Sequence, residues 1–171
     1  MGMRNHVFII MGVSGSGKST LGEALAEKTG ALFYDADDFH PESNKQKMQS
    51  GQPLNDHDRQ PWLSVLRESI ETWLEIGGLN VLACSALKAD YRHILDPQQD
   101  KRISFIYLKA DKDLLIQRLG QRAGHFFNPA LLESQLATLE EPENALVVNA
   151  AETLPQLVDQ IVKHCLQTQP V

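Results

Sequence analysis

The fold is decided by one stretch near the start of the chain, Gly12-Val13-Ser14-Gly15-Ser16-Gly17-Lys18-Ser19, which fits G-x-x-x-x-G-K-[ST] at every fixed position. Residues 7–11, just before it, form a short apolar run of the kind found in buried parallel strands. The residues after it place Leu21, Ala24 and Leu25 on one helical face. A strand, a glycine-rich loop and a helix in this order predict a phosphate-binding loop rather than a chance turn.

The residue types in this loop match the needs of a polyphosphate. Glycines let the backbone curl so that successive N–H groups point inward, and the helix start adds its positive dipole end. We expect Lys18 to reach the β- and γ-phosphates as a catalytic residue and the hydroxyl of Ser19 to ligate Mg²⁺. ATP and Mg²⁺ are therefore the predicted cofactors. The predicted nucleotide-binding residues are Gly12, Val13, Ser14, Gly15, Ser16, Gly17, Lys18, Ser19 and Thr20.

Length and composition describe one globular domain over residues 1–171, with 42% hydrophobic residues. The formal net charge of −6 argues against a nucleic-acid or membrane-surface binder, since such proteins need a basic footprint. Cys84 and Cys165 lack metal-ligand spacing, and no disulfide is implied. No run approaches the length of a membrane helix, and no signal peptide is expected. These features favour a cytoplasmic protein.

Two carboxylates follow the second predicted strand, residues 31–34. Period-two geometry would put Asp35 and Asp37 on the same side, at the strand end where open α/β sheets bind ligands. We expect Asp37 to orient or deprotonate an acceptor hydroxyl and Asp35 to help hold Mg²⁺ through water. The plainer interpretation is a pair of loop carboxylates with Asp38 as a helix cap.

The rest of the chain alternates strands and helices. Strands are predicted at residues 7–11, 31–34, 80–84, 103–108 and 145–148. A long helix is predicted from Trp62, where the apolar stripe begins, and a regular final helix over 154–166. The third strand carries no acidic residue, so a Walker B aspartate is missing there. The alternation predicts an α/β fold, a five-stranded parallel sheet with helices on both faces.

The remaining hypotheses mainly concern basic residues that are predicted to lie near the sheet edge. Arg118 and Arg122 stand beside a Gly-bounded aromatic loop and predict a small lid over about 118–129 that brings guanidinium groups onto the transferring phosphoryl group. Ordinary surface arginines are the alternative. Lys88 and Arg92 are equally well read as solvated charges or as an anion-binding pair. Residues 149–151 are our candidate for backbone contacts to adenine.

The residues alone predict a small phosphotransferase, with ATP on the loop, an acceptor near Asp37 and a lid arginine that balances charge. An ATP-binding switch without transfer chemistry is the alternative from another class. Such a switch needs no acceptor base, and ADP release that requires an added acceptor would separate the two.

Several blocks of this sequence resemble the gluconokinase family, a group of P-loop NTPases with a nucleoside-monophosphate-kinase-like fold. They are the loop at 12–19, Asp35-Ala36-Asp37-Asp38-Phe39-His40-Pro41, Asn44, Lys47-Met48, residues 53–63, Cys84-Ser85-Ala86-Leu87-Lys88, Tyr91-Arg92 and Gly124-His125-Phe126-Phe127. The similarity covers nearly the whole chain. The block Pro53-Leu54-Asn55-Asp56-His57-Asp58-Arg59-Gln60-Pro61-Trp62-Leu63 is far more specific than the loop.

The resemblance implies ATP-dependent phosphorylation of D-gluconate at its 6-hydroxyl, and a homodimer. A hydroxylated monoanion needs hydroxyl-binding groups and at least one cation. The candidate substrate-binding residues are Asp37, His40, Asn44, Arg59, Lys88, Arg92 and His125. Arg59 or Arg92 is expected to bind the carboxylate. A kinase of another small hydroxy acid, such as shikimate, is the alternative within the same fold.

Overall fold

Five strands alternate with helices along the chain in the computed structural model, which describes residues 5–120 and 129–167. The strands are β1 (His6–Met11), β2 (Leu32–Asp35), β3 (Leu79–Ala83), β4 (Ile103–Lys109) and β5 (Leu146–Asn149). The helices are α1 (Lys18–Thr29), α2 (Glu42–Gln49), α3 (Asp56–Ile76), α4 (Ala89–Leu95), α5 (Lys112–Gly120), α6 (Pro129–Thr138) and α7 (Leu154–Val162), with a 3₁₀ turn at Ala36–Phe39 and a π turn at Lys163–Gln167. Every predicted strand is confirmed to within one residue at each end.

The strands form one parallel sheet in the order β2-β3-β1-β4-β5. Ile10 of β1 lies opposite Ala83 of β3 and Ile106 of β4, so β1 is paired on both sides. Because all strands run the same way, the loop after β1, the end of β2 and the end of β5 meet at one edge. The predicted five-stranded α/β fold is confirmed.

Side chains of β1 alternate between two cores. Val7 and Ile9 pack with Trp62, Leu66 and other residues of α3 and α4 on one face. Phe8 and Ile10 pack on the other face against α1 and α7. Residues 7–11 are completely buried, as a strand covered on both faces requires. The helices therefore hold the sheet edge, and the loops that emerge from it, from both sides.

Helix α3 begins six residues earlier than the apolar stripe predicts. Asn55 caps it by accepting from the backbone N–H of Asp58, and the Asp58 side chain accepts in return from the N–H of Asn55. This reciprocal capping box starts the helix in polar sequence, and Pro61 lies inside it. The last helix is also shorter than predicted, because α7 ends at Val162 and the chain continues as a π turn.

Both thiols lie inside the protein. Cys84, just after β3, is 2% exposed, and Cys165 is 5% exposed. Burial raises the pKa of Cys84 to about 12 and also raises that of Cys165. Cys84 therefore belongs to the buried core as a small apolar residue. In the part of the chain that the structure describes, no helix has the length and apolarity needed to span a bilayer.

Candidate active site

The loop between β1 and α1 adopts a backbone that its glycines make possible. Gly15 has φ +84°, and a Cβ added there would lie 2.8 Å from Cγ of Leu119. Gly17, at φ +102°, is the residue that precedes the first turn of α1. A side chain at either position would be strained, and at Gly15 it would also collide with α5. The loop therefore wraps closely around the N-terminus of α1, where helix N–H groups and the helix dipole favour an anion.

Two side chains of this loop fit a phosphate ligand. Lys18 folds back over the loop, and its Nζ donates to the carbonyl of Val13 at 3.1 Å. Ser16 is 1% exposed, and its Oγ has no hydrogen-bond partner within residues 5–120 and 129–167. A buried hydroxyl without a partner is costly unless a ligand satisfies it. The loop thus presents a cation and an unsatisfied polar group where the motif predicts phosphates.

Ser19 and Asp35 are in contact at the N-terminus of α1. Ser19 Oγ donates to Asp35 Oδ2 at 3.3 Å, while Asp35 Oδ1 accepts from the backbone N–H of Asp37 at 2.9 Å. A hydroxyl and a carboxylate side by side are the oxygen donors that Mg²⁺ prefers. The two residues predicted to hold the metal ion are therefore neighbours.

Asp37 reaches the site by a route that the sequence did not predict. Strand β2 ends at Asp35, and Asp37 lies in the 3₁₀ turn that Asp35 caps, so the period-two argument for their shared side was wrong. The turn nevertheless keeps the carboxylate near Lys18 and Asp35. Although solvent reaches Asp37, burial in the cleft raises its pKa, and Asp35 raises it further while Lys18 lowers it. Such a carboxylate is a better proton acceptor than an isolated one.

A cavity of about 260 Å³ opens on the other side of the loop. Its walls include Ser16, Gly17, Thr20, Arg118, Ala150 and Glu152. Arg118 donates from Nη1 to the carbonyl of Ser16 and from Nη2 to that of Ala150, both at 2.7 Å. Arg118 therefore lies in the last turn of α5, bound to the loop itself. Ala150, one of the residues predicted near adenine, lines this cavity.

A charged cluster stands at the N-terminus of α3, made of Asp56, Arg59, Lys88 and Tyr91; we call it the Asp56 cluster. Lys88 Nζ lies 3.2 Å from both Asp56 carboxylate oxygens, and the Tyr91 hydroxyl donates a hydrogen bond to Asp56 Oδ1. Arg59 Nη1 donates to the Tyr91 hydroxyl at 3.3 Å and lies 3.7 Å from Asp56 Oδ1.

The Asp56 cluster carries a net positive charge. Hydrogen bonds from Tyr91 and Lys88 lower the pKa of Asp56, which keeps it ionised. Two cations then face one carboxylate, and both cations also sit over the Tyr91 ring, 5.7 Å and 5.6 Å from its centroid. One positive charge is left over, so the cluster can accept one further carboxylate.

Comparisons with known proteins agree with this geometry. The sequence model of the shikimate kinase family matches residues 14–168. The thermoresistant gluconokinase of Escherichia coli K12 is 40% identical over 163 residues, 93% of each chain, and the gluconokinase of Gluconobacter oxydans 621H is 39% identical over 96% of this chain and 93% of its own. A crystal structure of a gluconokinase from Sinorhizobium meliloti 1021 superposes with a TM-score of 0.85 at 36% identity, covering 97% of this chain and 94% of that one.

The chain belongs to the gluconokinase family. It lies within the wider shikimate kinase family, whose match extends from the phosphate loop to the π turn after α7. The resemblance inferred from the sequence is confirmed, as is the P-loop kinase fold. As a member of this family, the chain is a kinase, that is, a phosphotransferase.

Asn44 and His40, two of the predicted substrate-binding residues, are hydrogen-bonded to each other. Asn44 Nδ2 donates to the carbonyl of Asp58 at 2.8 Å and to His40 Nδ1 at 3.2 Å. Because Nδ1 accepts, the proton of the neutral imidazole is on Nε2. The ring stacks on Trp62 with centroids 4.3 Å apart, and burial, followed by Arg59, lowers its pKa to about 4. His40 is therefore a neutral donor at physiological pH.

The other basic candidates of this gluconokinase-family chain are placed differently from one another. Arg92 donates to the carbonyl of Ala86 at 2.7 Å and to that of Glu140 at 2.8 Å, so its guanidinium braces two backbone segments. Lys88 and Arg59 instead share the Asp56 cluster. Arg122 and His125, with most of the predicted lid, lie outside the described residues.

Sequence reasoning missed three side chains of this site. Asp56 and Tyr91 lie within blocks that carried the family resemblance, so a signal was present, but no role followed from it. Gln135 of α6 contacts Ser14 of the phosphate loop. Its position in an ordinary helical pattern gave no signal at all.

Proposed function

We propose that this chain transfers the γ-phosphoryl group of ATP to the 6-hydroxyl of D-gluconate, giving 6-phospho-D-gluconate and ADP. The observation that carries the proposal is the convergence at one sheet edge of a phosphate loop, the Asp37 carboxylate and a cluster with one spare positive charge. Its curated relatives named gluconokinases support the choice of substrate.

In this reaction the oxygen of the 6-hydroxyl bonds to the γ-phosphorus, the bond from that phosphorus to the β–γ bridging oxygen breaks, and ADP leaves. Asp37 orients the hydroxyl and accepts its proton at a carboxylate oxygen. Lys18 and the loop N–H groups hold the phosphates and offset their charge. Ser19 and Asp35 would hold Mg²⁺, which supplies further neutralisation of the phosphate oxygens when bound.

The acceptor and the nucleotide enter from opposite sides of the loop. The carboxylate of gluconate is at the far end of its carbon chain from the 6-hydroxyl, so its partners must stand away from Asp37. We assign this carboxylate to Arg59 and Lys88 of the Asp56 cluster, whose spare positive charge suits a monoanion. We place the adenosine in the cavity beside Arg118 and Ala150, where the arginine's contact with the loop supports the phosphate end.

The test is ADP release by the purified protein with ATP and Mg²⁺ in the presence of D-gluconate, shikimate, neutral sugars, nucleoside monophosphates or no acceptor. We expect release with gluconate well above every other arm. Release with another acceptor alone would retain the phosphotransfer and overturn the substrate. ATP binding without release in any arm would replace the enzyme with a nucleotide-binding switch.

Further parts of the proposal rest on the sequence and its resemblance. We place Arg122 and His125 in a lid over about 118–129 of a single domain, Arg122 on the transferring group and His125 on the substrate. We propose a cytoplasmic homodimer with no nucleic-acid or membrane partner, in keeping with the net charge of −6. Light scattering of the purified protein tests the dimer, and loss of turnover in Arg122→Ala and His125→Ala tests the lid residues.

A further inference from the structure

One side chain outside the motif, that of Gln135 in α6, makes two hydrogen bonds to the phosphate loop. The backbone N–H of Ser14 donates to Gln135 Oε1 at 2.7 Å, and Gln135 Nε2 donates to Ser14 Oγ at 2.9 Å. Since a backbone N–H can only donate, the amide orientation of Gln135 is fixed. The contact joins residues 121 positions apart in the chain.

Helix α6 is held firmly enough to make this contact specific. Leu132 of α6 packs with Val13 of the loop, Leu87 and Leu115 in a small core of its own. Val13 and Leu132 are 4% and 3% exposed, so both are fully enclosed. Beyond the helix, the N–H of Glu140 donates to the carbonyl of Leu87 at 2.8 Å. The Gln135 amide thus projects from a fixed support rather than from a free surface helix.

Ser14, the residue that Gln135 contacts, lies at a defined end of the loop. The cavity in which we place the adenosine is lined by Ser16, Gly17 and Thr20, toward the helix end of the motif. Lys18, which the motif directs to the β- and γ-phosphates, folds back toward Val13. Ser14 therefore stands at the end of the loop that serves the terminal phosphate.

We infer that Gln135 is a positioning residue that holds the Ser14 end of the loop in the curvature required by the terminal phosphate of ATP. The inference rests on the nucleotide half of the proposed function. It assigns to α6 a part in phosphate recognition that the motif itself does not contain. Without the amide, Ser14 loses both fixed hydrogen bonds and the loop gains conformational freedom that binding must remove.

Titration calorimetry with ATP and with ADP, each with Mg²⁺ and without acceptor, tests the inference. Gln135→Met keeps the length and packing of the side chain and removes both hydrogen bonds. We expect its Kd for ATP to rise about tenfold, the factor for one or two lost hydrogen bonds, and its Kd for ADP less than about threefold. Gln117→Met, an exposed glutamine of α5, is the matched control and should bind both nucleotides like the parent.

Ser14→Ala removes one of the two contacts and completes a double-mutant cycle. The effects of Ser14→Ala and Gln135→Met on ATP affinity should be less than additive, because both remove the same interaction. Equal weakening of ATP and ADP, additive effects, or unchanged or tighter ATP binding in Gln135→Met would overturn the inference. A parent protein that binds ATP yet phosphorylates no gluconate would overturn the proposed function and leave these binding results intact.

Discussion

Ser19 Oγ and Asp35 Oδ2 lie 3.3 Å apart and join the first turn of α1 to the carboxyl end of β2. The two residues are separated by a helix and a strand in the chain, yet they present their oxygens to one point. Asp35 also caps the turn that carries Asp37. The proposed metal site and the proposed base are therefore fixed by the same carboxylate.

Asp35→Asn should raise the Mg²⁺ concentration needed for half-maximal turnover. Asparagine keeps an oxygen that can cap the Asp37 turn but loses the negative charge that attracts the cation. Turnover measured against free Mg²⁺ gives the shift, which we expect to be about tenfold or more, since a charge-assisted contact is lost. Asp38→Asn, at the exposed neighbour, should leave the Mg²⁺ dependence unchanged.

Asp37→Asn should lower kcat by about 10²–10⁴, the contribution of a general base, while the KM for ATP stays within about threefold. Burial and Asp35 raise the pKa of Asp37, so the negative charge of its ionised carboxylate lowers the folding stability at neutral pH. The variant should therefore unfold at the same temperature or higher. Turnover within a few fold of the parent would remove Asp37 from the chemistry.

Arg59→Ala should affect substrate binding, whereas Arg92→Ala should affect the stability of the fold. Loss of Arg59 should raise the gluconate KM about tenfold or more, with the ATP KM nearly unchanged, because a charged partner of the carboxylate is gone. Loss of Arg92 should instead lower the free energy of unfolding by about 1–3 kcal/mol, since Ala86 and Glu140 lose their donor. Steady-state kinetics and urea unfolding of both variants separate the roles; a raised gluconate KM in Arg92→Ala alone would reverse them.

Arg118→Ala should raise the KM for ATP about tenfold and leave the gluconate KM close to the parent value. Its guanidinium donates to the carbonyls of Ser16 and Ala150, two residues that line the cavity proposed for the adenosine, and each contact is a charge-assisted hydrogen bond. Initial rates with either substrate varied check this. A large fall in kcat with no change in ATP KM would point to the transferring phosphoryl group instead.

The stability of the protein should fall between pH 6.5 and about 4 through His40. Its pKa is lowered from 6.5 to about 4 in the fold, so in this window the unfolded chain binds a proton that the native protein does not. Stability therefore rises with pH across the window, by at most about 3 kcal/mol. His40→Gln should flatten this part of the Tm–pH curve, whereas His93→Gln, at an exposed residue, should keep it.

The sequence predicted the elements that have strong local signals. Apolar runs and the regular α7 stripe placed the strands and the final helix, because burial on one face imposes a period that is visible in a single sequence. The start of α3 was missed, since its first turns are polar and the prediction relied on the apolar stripe that begins at Trp62. The Asn55–Asp58 capping box was the available signal, and the helix begins where that box begins.

The residues of the candidate site also fall into two groups, those that local sequence predicts and those that depend on tertiary packing. Lys18, Ser19 and Asp35 could be predicted because a motif and a strand end place them at the sheet edge, whereas the 3₁₀ turn that brings Asp37 there could not. Gln135 could not, because its partner Ser14 is far away in the chain and meets it only after α6 docks on Val13 and Leu115. The Asp56–Tyr91 contact likewise depends on how α3 and α4 pack together.

The deep burial of Cys84 and Cys165 also makes this protein convenient for spectroscopy. A thiol whose pKa is raised by burial is almost entirely protonated at neutral pH and reacts slowly with electrophiles. A cysteine introduced on the exposed face of α2 or α7 would then be the preferred target of a maleimide dye. Fluorophores can be attached to the folded chain without first replacing its own thiols, so distances across the phosphate loop can be followed while nucleotide and acceptor bind.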